Sequence, residues 1–360
     1  MRDKRFSGRA RVGLPGGRTR SPLPGVNTSE LRCGAQARPF SPDRERRNDV
    51  NTCLVCLGPI EIHTGGDAYH PQCAKKLVGL TRMPLAARFG PATPRATLPA
   101  TTSRIVRPGE EPTFAVDVSA DKQRLEAAPQ TGRFILKPQS AAFAELPENE
   151  LLTMRLAELA RIGIPPCGLV RLPDQSLAFL VRRHDGPDDG AAWLREDFCQ
   201  LAGRPPDATH DGSAELCADL IRRCASEPLV ALMKLYRLMV FAWWTGNGNL
   251  HLGSLALVTG PDDVRGLAPA RDLVCTRLAI PGDPLALPVG GKRDRIARAD
   301  WLRYGDTCGL RPRVVERVLA TIVSSFDEAL GLVSRSFLTE EAKIAYAELL
   351  GRRTALLEKG

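Results

Sequence analysis

The chain has 360 residues, 43% of them hydrophobic and 25% charged, enough to bury one large core or two modest ones and too apolar for disorder throughout. Its longest uninterrupted apolar run, Leu238 to Trp244, falls far short of the roughly 20 residues a membrane helix needs, and the N-terminus carries no apolar signal core, so the expectation is a soluble cytoplasmic protein. The formal charge of +9 is concentrated in residues 1–50, which hold 12 Lys/Arg against 5 Asp/Glu, while residues 51–360 hold 38 against 36 and are nearly neutral.

Residues 1–50 form a basic leader rich in Arg, Gly and Pro and poor in apolar residues, which cannot offset its ordering entropy and is expected to be disordered. It reads equally as a solvated tail, an over-extended gene start or a surface for anionic partners, and no chemistry is assigned to it. The ten cysteines do not look like a disulfide framework, since most are scattered singly, and a reducing compartment fits them better.

Three of those cysteines join a histidine in a pattern. Cys53-x2-Cys56 is followed, after thirteen residues, by His70-x2-Cys73. Three thiolates and one imidazole on two short turns suit a closed tetrahedral Zn2+ site with a structural role. The surrounding residues 51–82 have few large apolar side chains, so a metal crosslink would supply folding energy that a tiny core cannot. His63 is a spare donor, expected to be exposed. The competing reading is four unlinked side chains. Residues 83–112 are broken by Pro84, Pro91, Pro94, Pro99, Pro108 and Pro112 and read as a linker or an extended wrapping segment.

From Phe114 the order becomes strand, strand, helix, strand: FAVDV, RFILKP, a helix starting near Pro147 with Leu152, Leu156, Leu159 and Ala160 on one face, then LAFLVRR. This reads as a small β-rich lobe over residues 113–185. Residues 186–360 read as a mostly helical lobe, with helices predicted over Glu227 to Trp244 and through Val314, Val318, Ile322, Phe326 and Leu330. A cleft between two such lobes is the usual place for a ligand. Lys137 ends an apolar strand and Glu150 begins the next helix, an arrangement that kinase-type sites use to place a cation on phosphates. Alone, a lysine at that position is an ordinary solvated strand end.

The passage YRLMVFAWWTGNGNLHLGSLALV, followed by GLAPARDLVCTRLAIPGD, resembles the HipA family of serine/threonine kinases, toxins of bacterial toxin-antitoxin systems. Their loop reads G-N-x-D-x-H-x-K-N-F-S before a later Y-D-L. The likeness extends through ENELLTMRLAELARIGIPPCGLV, LAFLVRRHDG, REDFCQLAG and TRLAIPGDPLALPVGGKRDRIARADW, about residues 110 to 330, and the CLVC to YHPQC stretch resembles a short zinc-like leader of a compact branch.

The resemblance implies an α+β, two-lobe protein-kinase/phosphatidylinositol-kinase-like fold with a zinc-ribbon-like module in front. It implies ATP and Mg2+ as cofactors, weakly held or lost, beside structural Zn2+. Lys137 would contact the nucleotide phosphates, Val181, Arg182 and His184 would belong to the adenine hinge, and Asp185 would lie near the ribose. Ser119 would open a phosphate loop, His251 would lie beside the phosphates and Asp272 would bind Mg2+. The implied partners are a helix-turn-helix antitoxin, a separate small protein supplying a missing N-terminal subdomain, a protein substrate if the enzyme is active, and DNA only through the antitoxin; no membrane is implied.

The chain departs from the pattern at the decisive positions. The family's catalytic Asp is Asn249, an amide that cannot serve as a base. The lysine that steadies the transferred phosphoryl is Gly253, and the Asn that coordinates the second Mg2+ is Ser254. The expectation is a toxin-type kinase whose phosphoryl transfer is impaired. The alternative is a pseudokinase that holds nucleotide or a protein without catalysis. A third reading, a nucleic-acid reader on a scaffold, is disfavoured by the near-neutral body.

Overall fold

Short strands buried on both faces over most of their length build the first lobe. In the computed structural model, which describes residues 52–60, 68–87, 89, 113–129, 131–183 and 194–359, the predicted strands are β2 (Phe114–Val118), β4 (Phe134–Pro138) and β6 (Leu177–Arg182). They are joined by β1 (Leu85–Ala86), β3 (Arg124–Ala127) and β5 (Cys167–Arg171) in a six-stranded sheet ordered β1-β3-β2-β4-β6-β5. All neighbours are antiparallel except β1 and β3.

The pleat divides this sheet into two faces. Phe114, Val116, Phe134, Leu136, Ala178 and Leu180 pack with Cys53, Val55, Leu77 and Val78 of the front module. Ala115, Ile135, Phe179 and Val181 pack on the other side with helix α2 (Leu146–Leu159) and with the second lobe. The lobe is therefore three layers: module, sheet and helix. The module carries helix α1 (Pro71–Val78), which starts with Pro71 and ends at Gly79, where φ is +81°. Although a proline-rich stretch separates the two in sequence, module and sheet are packed face to face.

The second lobe opens with β7 (Leu194–Asp197) and the one-turn helix α3 (Phe198–Leu201), closed by a reciprocal box between Asp197 and Gln200. Helices α4 (Ala214–Cys224) and α5 (Pro228–Thr245) follow, then β8 (Ala256–Thr259) and β9 (Arg265–Leu267), which complete a three-stranded sheet in the order β7-β8-β9. Helix α5 is buried along most of its length, with Trp243 and Trp244 inside; its exposed residues are Leu229, Val230 and Lys234, all near its start.

The chain ends in α6 (Arg298–Thr307), α7 (Pro312–Ser324), α8 (Phe326–Arg335) and α9 (Glu340–Glu358). The four-residue spacing from Val314 to Leu330 predicts one helix, but the structure has two, meeting at Ser325. The Ser325 hydroxyl donates back to the Thr321 carbonyl at 2.7 Å, a local bond that competes with continuation of the helix. Among the described residues no helix is long and apolar enough to cross a membrane.

Candidate functional site

Lys137 stands on the cleft face of β4, level with Phe179 on β6, its ammonium 5.5 Å from the centre of that ring. The same ammonium donates to Glu150 Oε1 at 2.7 Å and to Asp272 Oδ1 at 2.5 Å. One cation thus joins the sheet, helix α2 and the segment after β9.

The charges of the three groups follow from that sharing. Burial and the neighbouring Asp272 push the Glu150 carboxyl up to about 7, against the pull of Lys137. Burial also opposes ionisation of Asp272, but Lys137 and Arg271 outweigh it and hold this carboxyl well below the usual carboxylate range. Lys137 is desolvated too, yet the two carboxylates keep it charged far above neutral pH. Arg271 Nε lies 3.4 Å from Asp272 Oδ2. Asp272 itself has φ +57°, the left-handed region, a strained conformation of the kind that concentrates at functional sites.

Two elements fix this arrangement. The side-chain amide of Asn149, next to Glu150, donates to the Cys275 carbonyl at 2.9 Å and accepts from the Cys275 N–H at 2.8 Å, so α2 is latched to the Asp272 segment as if by a pair of backbone bonds. The Glu145 carboxylate accepts from the Thr339 N–H and hydroxyl, tying the start of α2 to the start of α9.

The loop after α5 is fastened to the same segment. The Thr276 N–H donates to the Gly246 carbonyl at 3.1 Å, and the Thr276 hydroxyl accepts from the Gly248 N–H at 2.9 Å while donating to Asp283 Oδ2 at 2.5 Å. A Cβ on Gly248 would lie 2.0 Å from that Asp283 oxygen, so only glycine fits. The Asn247 side-chain oxygen accepts from the Asn249 N–H at 2.8 Å. The loop that carries Asn249 is thus tied to Thr276, four residues after Asp272.

Inside this loop several buried polar atoms have no protein partner: Asn247 Nδ2, Asn249 Oδ1 and His251 Nε2. Orphaned groups cost free energy unless something else satisfies them: Asn247 Nδ2 calls for an acceptor, Asn249 Oδ1 for a donor or a hard cation, and His251 feels the charge of Asp272, so the loop fits a bound polar group. Ser254 is committed otherwise. Its hydroxyl donates to the Asn249 carbonyl at 2.9 Å and lies 3.2 Å from His251 Nδ1. With the single hydroxyl proton spent on a carbonyl, the proton of the second contact must sit on Nδ1, which leaves His251 Nε2 as a bare lone pair. Burial, with His210 adding, lowers the His251 pKa to about 4, so the ring is neutral at physiological pH. A Cβ at Gly253 would meet Thr209 at 3.2 Å and His251 at 3.3 Å, so a lysine there requires both to move.

Ser119 is not brought to this cluster. Phe114 pairs with Leu136 and Val116 with Phe134, so Lys137 is level with the start of β2, whereas Ser119 follows its far end, about 20 Å along the strand. Its hydroxyl donates to Asp121 Oδ1 at 2.5 Å and accepts from the Arg124 N–H, closing a turn on itself. In this structure Ser119 closes its own turn beyond the end of β2 that lies away from Lys137.

Val181 is buried on the cleft face of β6. Arg182 follows it, its guanidinium 5.8 Å from the Phe134 ring. His184, Asp185 and His63 lie outside the described residues, as do the basic leader and most of the proline-rich stretch. Sequence reasoning passed over Asn149, Arg271 and Thr276, although each adjoins or follows a residue it singled out.

In the module, Cys53, Cys56, His70 and Cys73 present donor atoms within 4.8 Å of one another. His70 Nδ1 is 3.3 Å from Cys56 Sγ and 3.7 Å from Cys73 Sγ, and His70 Nε2 meets the Pro59 carbonyl at 2.9 Å. A carbonyl can only accept, so Nε2 carries the proton and Nδ1 faces the thiols with its lone pair.

Comparison with known proteins bears on the cleft directly. The profile of the HipA-like C-terminal domain matches residues 107–330, more than half of the chain. The chain belongs to this HipA-like family. It is 30% identical over 223 residues to "Putative kinase Y4mE" of Sinorhizobium fredii, covering 58% of this chain and 52% of that protein, so the chain spans about half the length of that relative. It is 22% identical over 347 residues to a "Putative kinase" of Haemophilus influenzae, covering 86% of this chain and 98% of that one. Among solved structures it is similar to HipA in the Shewanella oneidensis complex of HipA, HipB and operator DNA, with a TM-score of 0.59 at 18% identity over 75% of this chain and 69% of that one. The HipA-like, two-lobe kinase fold is thereby established, and the matched span contains Lys137, Glu150, Asn249, His251 and Asp272.

Proposed function

We propose that this HipA-like protein binds ATP with Mg2+ in the cleft between its lobes, and that it transfers the γ-phosphoryl group slowly to a serine or threonine hydroxyl of a protein substrate. The observation that carries the reading is the Lys137 ammonium held between Glu150 and Asp272 beside a loop of orphaned polar atoms. Lys137 supplies fixed positive charge for the phosphates, Glu150 orients it from α2, and Val181 flanks the base from the cleft face of β6. Asp272 is the carboxylate that would hold Mg2+, which when bound supplies charge neutralisation for the phosphates.

Asn249 orients a hydroxyl through its amide oxygen but takes no proton, and His251 Nε2 is a neutral, bare lone pair in the same loop. Losing a carboxylate base costs about two to four powers of ten in rate. A second reading, a pseudokinase, is favoured by the Ser254 hydroxyl, whose proton is committed to the Asn249 carbonyl rather than to any bound group. The Shewanella neighbour is a toxin in complex with HipB and operator DNA. By analogy the proposed setting is the cytoplasm, as the toxin of a type II system with a helix-turn-helix antitoxin and, in the compact branch, a separate small subdomain protein.

The test is intact-mass measurement after incubation with ATP and Mg2+, together with titration of ATP binding. Slow phosphate addition that rises at least about tenfold in Asn249→Asp with Ser254→Asn supports the impaired kinase. Binding without phosphate in either protein supports the pseudokinase. Absence of nucleotide binding in both removes the proposal.

A further inference from the structure

We propose that Zn2+ bound by Cys53, Cys56, His70 and Cys73 holds the outer layer of the kinase lobe on its sheet, so that metal occupancy controls the seating of β5 and α2 from the side opposite the cleft. This goes beyond the nucleotide reading and stands whether or not phosphoryl is transferred.

The donor set fits the ion. Three sulfurs and one imidazole nitrogen lie within 4.8 Å of one another, and tetrahedral Zn–S bonds of about 2.3 Å require sulfurs roughly 3.8 Å apart. His70 presents Nδ1 because Nε2 donates to the Pro59 carbonyl, the outer contact that normally orients a ligating histidine. The thiols lose their protons on binding, leaving a site with a net charge of −1 and no open position.

The coupling lies in what the same residues touch on their other side. Leu54, between two of the ligands, accepts from the Leu169 N–H at 2.7 Å, so the module's backbone satisfies the free edge of β5. The Tyr69 hydroxyl, beside His70, donates to the Leu169 carbonyl at 3.0 Å. Leu57, one residue past Cys56, accepts from Arg335 Nε on α8 at 3.0 Å. Leu54 and Leu57 enter the core that contains α2, while Cys53, Val55, Leu77 and Val78 cover the opposite face of the sheet. At Gly168 the module comes so close that an added Cβ would meet Val55 Cγ2 at 2.7 Å and Leu77 Cδ2 at 3.0 Å. The contacts to β5 come from both turns, Leu54 beside Cys53 and Tyr69 beside His70, so a metal crosslink between the turns holds them together.

The experiment uses the full-length protein and needs no nucleotide. Metal content is measured by plasma mass spectrometry, and the protein is titrated with a zinc chelator while Tm and amide hydrogen exchange are followed. The expected result is about one Zn2+ per chain, a Tm lower by roughly 10 °C on chelation, and exchange of the Leu169 amide and of the α2 amides faster by at least about tenfold. Added Zn2+ restores all three. Cys56→Ser with Cys73→Ser should lose the metal, and if that variant does not fold, the chelation series on the folded wild type decides. A protein that binds no metal, with a Tm unmoved by added Zn2+, overturns the site. Bound metal whose removal leaves Leu169 protection unchanged overturns the coupling.

Discussion

At the scale of single residues, Glu150 makes the sharpest prediction, because burial places its carboxyl in conflict with its need to pair with Lys137. With a folded-state pKa of about 7 against an ordinary value of 4.5, the native protein holds a proton between those pH values that the unfolded chain has released. Stability must then fall as pH rises through that window. Glu150→Gln removes the titration, so the variant should gain on the wild type by on the order of 2 kcal/mol between pH 5 and pH 8. Urea unfolding of both proteins at several pH values measures the difference, and parallel curves would refute the assignment. Ser119 gives a contrasting expectation. Since its hydroxyl closes a turn at the far rim of the sheet, Ser119→Ala should leave ATP affinity within about twofold, whereas Lys137→Met should weaken it by at least about tenfold. Calorimetric titration separates the two.

At the scale of elements, helix α2 carries the site because its buried start is latched, and the latch is one side chain. Asn149→Ala would leave the Cys275 N–H and carbonyl buried without partners, at about 1–3 kcal/mol for each group. The variant should lose about 3 kcal/mol in urea unfolding and bind ATP more weakly, because Glu150 is the next residue. A change in ATP affinity with no loss of stability would mean that the latch is not formed. The strands β2, β4 and β6 and helices α2 and α5 were legible because their apolar periods are unbroken. β5 was not, since Pro165 and Pro166 precede Cys167–Arg171 and Gly168 interrupts its apolar pattern. The break at Ser325 was hidden because the four-residue spacing runs through it, and a serine bond to the preceding turn has no hydrophobic signature.

At the scale of the whole molecule, what the sequence made legible and what it hid divide along contact distance. The Cys and His spacing and the loop after α5 are local patterns, and both were readable. Asn149 meets Cys275 and Arg335 meets Leu57 across more than a hundred residues, and nothing in one sequence signals such pairs. The same holds for the front module. Its few apolar residues looked too sparse for a core because their partners lie in β2, β4, β5 and β6.

That long-range packing can be tested at the closest approach, Gly168 against Val55. Gly168→Ala forces a methyl to within 2.7 Å of Val55 Cγ2, a branched side chain with little freedom to move. Overpacking of this kind costs about 1–3 kcal/mol. Val55→Ala alone opens a small cavity at a site only 4% exposed and should also destabilise, by roughly 1–2 kcal/mol. Combined, the lost methyls of one make room for the added methyl of the other. The double variant should therefore be more stable than the sum of the single losses predicts, with a coupling of about 1 kcal/mol. Urea unfolding of the four proteins closes the cycle. Strict additivity would mean that module and sheet do not share a packed surface, whereas positive coupling ties a segment near residue 55 to a strand more than a hundred residues away, which is what a three-layered lobe requires.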